Sequence, residues 1–175
     1  TIQSPMVALA LVLISKWRVL AVRLRYWWTN IQANAVDTIV GVSTVLLMYS
    51  PGISIAVQAG LAAAYAAWLV LLKPQSKKHY MLIQSLTAIA LGVTTLYSIS
   101  YEWPVSLVVI GMGIIGYSAA RHFLYSYEED QIALLSGIYG LIFAEIGWLA
   151  YYWTFAYTLP FFTAIQIPQV TIIVL

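Results

Sequence analysis

The stretch Ile132 to Trp153, IALLSGIYGLIFAEIGWLAYYW, constrains the fold more than any other part of the chain. It is close to the ~20 residues that a helix needs to cross a bilayer. Near its middle sits a single carboxylate, Glu145. A charge at that depth costs about 3 kcal/mol or more unless it is neutralised or paired. The surroundings of Glu145 are therefore expected to be arranged for it.

The rest of the chain fits a membrane setting. Of 175 residues, 62% are hydrophobic and only 8% charged, where soluble domains carry about 25% charge. Mean hydropathy is +0.87. The net charge of +2 is too small to predict nucleic-acid binding. No cysteine occurs, which excludes disulfides, zinc ribbons, cysteine-ligated iron–sulfur clusters and thiol nucleophiles within this chain. Walker, GxSxG and HExxH patterns are absent as well. The composition predicts an all-α, polytopic membrane bundle.

In chain order, residues 1–29 form an apolar run followed by a basic, aromatic segment. Residues 5–14 are too few to span a bilayer of about 30 Å. They are expected as a truncated span, an interfacial helix or a signal-like segment, the last disfavoured because the basic residues follow the run rather than precede it. Lys16, Arg18, Arg23 and Arg25 then alternate with Trp17, Trp27 and Trp28. Cations beside amphipathic rings suit the headgroup layer, so this segment reads as a membrane-surface anchor.

Residues 30–153 contain five predicted spans. The first, 30–50, places Asn30, Asn34, Asp37, Gly41 and Thr44 on one helical face. The second, 52–72, places Gly52, Ala56, Gly60, Ala63 and Ala67 on one face, a pattern that lets backbones pack closely in lipid. The third, 80–100, carries a polar stripe of Gln84, Thr87, Thr94 and Ser98. The fourth, 105–125, aligns Gly113, Gly116 and Ala120 and ends in Arg121 and His122. The fifth is 132–153. Residues 154–175 form an apolar tail broken by Gln166, Pro168 and Gln169, read as a sixth span or a re-entrant segment.

The positive charges orient this arrangement. With five spans, all 8 Lys and Arg residues fall on one side, and the positive-inside rule makes that side cytoplasmic. The N-terminal basic segment and the loops 73–79 and 126–131 are thus expected in the cytoplasm.

Two intramembrane acids are the candidate proton or ion sites. Asp37 lies about 10 Å inside the first span, at 1.5 Å per residue. Arg121, Gln84 and Asn34 are its expected partners if it merely ties helices together. Glu145 stands beside the small-residue stripe Gly137, Gly140, Ala144 and Gly147, so it is expected to point into the bundle or along a seam. Hydrocarbon favours the neutral acid, which can donate a hydrogen bond. Thr94 and Thr95 are the expected acceptors. His79 and His122, at the ends of two spans, raise a haem clasp, but boundary histidines are more simply solvated, and neither a cofactor nor a metal site is predicted. The acidic loop Glu128, Glu129 and Asp130 lacks a calcium-loop pattern and reads as a solvated turn, paired with the basic loop at 73–78.

These features lead to a non-enzymatic structural or accessory component of a membrane assembly, acting in a homo-oligomer or larger complex. A proton- or cation-conducting protein using Asp37 and Glu145 is the alternative. A lipid-modifying enzyme is weaker, since no nucleophile–base pair is visible.

Overall fold

Apolar runs bounded by proline, glycine and charge become helices at nearly the expected positions. The computed structural model describes residues 5–15, 21, 23–50, 52–100, 102–127, 129–153, 156–159 and 162–175. Eight helices occur among them: α1 (Pro5–Ser15), α2 (Trp27–Ala33), α3 (Ala35–Met48), α4 (Ile55–Ala67, continued by a π turn over Trp68–Leu72), α5 (Lys78–Ile99), α6 (Val105–Tyr125), α7 (Ile132–Trp153) and α8 (Gln169–Val174). Four helices (α4 with its π turn, α5, α6 and α7) are long and apolar enough to cross a membrane. The segment Leu24–Ala33 and α3 meet the same test only together, bent by 62° at Asn34. The first predicted span is therefore broken. Asn34 carries the bend: its side-chain amide donates to the Asn30 carbonyl at 2.9 Å, while Thr38 Oγ1 donates to the Asn34 carbonyl at 2.8 Å. Short polar side chains that bond nearby backbone weaken a helical ladder locally.

The tightest pair is α6 with α7, and glycines account for its closeness. A methyl group placed on Gly113 would meet the Gly140 carbonyl at 3.4 Å, and one placed on Gly140 would meet the Gly113 carbonyl at 3.1 Å. Phe143 fills the gap over Gly116, and Met112 the gap over Gly147. Val93, Met112, Ile115, Phe143 and Val170 form one core cluster; Val36, Val40, Trp68 and Ala88 form a second, under α4.

Two sequence expectations are corrected here. The small-residue face of α4 does not pack against the described residues: Ala56, Gly60, Ala63 and Ala67 are all exposed, and α4 rests instead on the side holding Tyr65, Trp68 and Leu72. A stripe of small residues permits a close approach but supplies no partner, and the neighbouring helices dock on the bulkier side. The tail, in turn, is not a sixth helical span. It forms an antiparallel hairpin, β1 (Ala156–Leu159) with β2 (Phe162–Pro168), pairing Ala156 with Pro168 and Tyr157 with Ile167. Helix α8 then returns to the bundle, where Val170 is 1% exposed and Thr171 shares a hydrogen bond with Thr94 at 3.2 Å. Pro168, with no N–H to donate, ends β2 and is the N-cap of α8.

Candidate functional site

Asp37, Lys73, Gln84 and His122 come together at one end of the bundle. This carboxylate is buried in the first turn of α3. Lys73 Nζ lies 2.7 Å from its Oδ2, and Trp68 Nε1 donates to Oδ1 at 3.2 Å. The π turn makes this double contact possible. Residues five apart on a regular α-helix are separated by about 140° of rotation. Here the Lys73 amide bonds the Trp68 carbonyl at 2.9 Å, an i to i+5 closure that takes in one extra residue. Trp68 and Lys73 thereby come to the same carboxylate. The long lysine stem reaches back along the helix while its head stays partly wet, with the side chain 42% exposed.

A second knot lies beside the first. Gln84 on α5 donates to the carbonyls of Leu72 and Gln75, capping the end of α4, and its Oε1 meets His122 Nε2 of α6 at 2.6 Å. Ser85 Oγ adds a bond to the Ala119 carbonyl at 3.0 Å. Helices α3, α4, α5 and α6 are thus stitched together at their charged ends.

No family model, curated protein or solved structure matches this chain. The chemistry of the site is therefore read from its own residues. The partners expected for Asp37 are engaged elsewhere: Gln84 with backbone carbonyls and His122, Asn34 with the Asn30 carbonyl. Arg121 lines a groove between α2, α6 and α7. Lys73 and Trp68 were not singled out as partners because a lysine at the end of an apolar run reads as loop. The available signal was depth, since Lys73 ends on the same side as Asp37.

Glu145 departs furthest from expectation. It is exposed, with Leu141, Ile142, Trp148 and Leu149 exposed around it. The buried residues of α7 are Ser136, Gly140, Phe143 and Gly147. Glu145 lies two residues past Phe143, about 200° round the helix and so on the opposite side. The aromatic Phe143, rather than Ala144, marks the centre of the packed face. Thr94 and Thr95 do not reach Glu145 either: Thr94 pairs with Thr171, and Thr95 Oγ1 donates to the Ser43 carbonyl at 3.3 Å. Among the described residues, no hydrogen bond or ion pair engages Glu145.

The remaining sequence candidates are dispersed. Lys16, Trp17 and Arg18 of the surface anchor lie outside the described residues, while Trp27 and Trp28 are 37% and 68% exposed on α2. Arg25 stands over the ring of Tyr26, 4.5 Å from its centroid. His79 is exposed and meets Tyr80 edge-on, whereas His122 is engaged by Gln84. Lys78 of the basic loop caps the Tyr127 ring at 4.6 Å. Glu129 and Asp130 of the acidic loop are exposed, and Glu128 lies outside the described residues. Among the described residues, no group of three or more His, Asp or Glu is placed to hold a metal ion.

Proposed function

We propose that this chain is a non-enzymatic subunit of a membrane assembly, with its Lys- and Arg-rich end in the cytoplasm, and that copies associate through the outer face of α7. The observation that carries this reading is Glu145. A carboxyl exposed midway along an apolar, membrane-length helix faces hydrocarbon in a lone chain, at a cost of about 3 kcal/mol if ionised. A second copy removes that cost. A neutral carboxylic acid is both donor and acceptor, so across a two-fold axis the same residue on each helix satisfies the other. Residues Ile138, Ile142 and Leu149, all exposed on the same side, supply apolar contact around the acid pair.

Proton or cation movement through Asp37 and Glu145 has weaker support. Asp37 is held by Lys73 and Trp68, and Glu145 lies on the outer side of a different helix. The two readings separate on one variant pair. Glu145→Leu is expected to weaken self-association about 5- to 30-fold, from the ~1–2 kcal/mol of an interhelical polar contact, whereas Glu145→Gln keeps a donor and an acceptor and retains the oligomer. Mass measurement in mild detergent and in nanodiscs reads both. A monomeric wild type whose proteoliposome proton flux is lost in Glu145→Gln would overturn the assembly reading in favour of transport.

A further inference from the structure

The groove between α2, α6 and α7 has the shape and apolar lining of a lipid site. Its volume is about 550 Å³, within the ~300–1,000 Å³ of sites that hold small ligands. Its floor is open because side chains are small: Gly113, Gly137, Gly140 and Ala144 all line it. Along α6 the lining runs from Val109 to Arg121, about 18 Å at 1.5 Å per residue. That is close to the depth of one leaflet, half of a ~30 Å hydrocarbon layer.

The two ends differ in chemistry. At the end nearest the polar knot stand Arg121, Gln32 and the exposed Trp28. Gln32 Nε2 donates to Tyr117 Oη at 2.9 Å, which fixes α2 as the wall of the groove. Among the described residues, no carboxylate, carbonyl or ring engages Arg121. The opposite end is aliphatic, formed by Val109, Ile110 and Ile114. An arginine at one end of an apolar slot about one leaflet deep matches the two halves of one molecule.

We infer that this groove holds an anionic phospholipid, its phosphate paired with the Arg121 fork and one acyl chain lying over Gly137 and Gly140. The planar guanidinium offers two parallel N–H donors to phosphate oxygens, a geometry that a lysine lacks. The inference rests on the membrane placement of the bundle and not on association through α7: Gly137, Gly140 and Ala144 line the groove about 80–140° round that helix from Glu145, with Leu141 at the edge between them.

Native mass spectrometry of the full chain, loaded with phosphatidylglycerol or phosphatidylcholine, tests it. Wild type is expected to retain phosphatidylglycerol preferentially. Arg121→Gln should weaken that retention about 5- to 10-fold, as for loss of one juxtamembrane cation, and remove the preference. Gly137→Leu should weaken it with Arg121 still present. A methyl at Gly137 meets no atom within 4 Å, so the leucine side chain starts in open space and adds bulk to the groove, and this variant decides the matter if Arg121→Gln fails to fold. Equal retention of the two lipids by wild type, full retention by Gly137→Leu, or displacement of the lipid by inorganic phosphate would each overturn the inference. Oligomer mass measured on the same samples keeps its failure apart from failure of the α7 association.

Discussion

Gly116→Ala is expected to destabilise the bundle by about 2 kcal/mol, within the ~1–3 kcal/mol typical of forced overpacking. The new methyl would lie 2.5 Å from Phe143 Cγ and 2.6 Å from its Cβ. These atoms are the stem of the ring, so no rotamer change relieves the clash and α7 itself must move. Gly147→Ala should behave alike, since Met112 Cγ and Cβ lie 2.6 and 2.8 Å from the added carbon. Displacing Gly147 would also strain the bond from Tyr97 Oη to its carbonyl, now 2.9 Å. Gly60→Ala is the control, because nothing lies within 4 Å of its methyl and alanine is favoured over glycine in a helix by about 1 kcal/mol. Denaturant unfolding in mixed micelles, followed by circular dichroism, should order the four proteins with Gly60→Ala at or above wild type. Equal stability of Gly116→Ala and wild type would show that α6 and α7 do not pack as described.

Lys73→Met is expected to cost about 2 kcal/mol. Removing one member of a buried pair costs roughly 3–5 kcal/mol because the other charge is left uncompensated; Lys73 is partly wet, so the value here falls below that range. Asp37 keeps the Trp68 donor in this variant, which also softens the loss. Asp37→Asn in the Lys73→Met background should recover part of it, since the charge that Lys73 offset is then gone, and the two effects should combine non-additively. Strict additivity in the same unfolding assay would mean that the two side chains do not interact.

Much of the helical layout was legible because long apolar runs bounded by proline and charge leave few alternatives to a helix. Helices α5, α6 and α7 begin and end within about two residues of the predicted spans, as proline, lysine clusters and the acidic turn interrupt the apolar runs there. The bend at Asn34 was not legible, because Asn30, Asn34 and Asp37 also satisfy an unbroken helical stripe. The π turn left no sequence mark either, although it is what brings both Trp68 and Lys73 to Asp37. The hairpin was hidden because a short apolar run fits strand and helix equally well until its length is known.

The candidate site was readable as residues but not as partnerships. Depth along the chain identified Asp37, Gln84 and Arg121 as neighbours in level, and all three do lie towards one end of the bundle. Which of them touch depends on helix rotation, which depth does not specify. Glu145 shows the same limit. A stripe of Gly137, Gly140, Ala144 and Gly147 suggested a packed side, and the packed side proved to centre on Phe143. An error of about 100° in rotation turned a seam residue into an outward-facing one. This outward carboxyl is what motivates the assembly reading.

In the proposed assembly, copies of the chain meet along the Glu145 side of α7. The chain contains 0 cysteines, so single cysteines can be placed without background. Ile138→Cys, Ile142→Cys and Leu149→Cys lie on that side, and Gly60→Cys lies on the exposed face of α4. Oxidative cross-linking in native membranes should yield disulfide-linked dimers from the α7 positions, with Gly60→Cys remaining monomeric. Cross-linking confined to Gly60→Cys, or absent from every α7 position, would contradict the account.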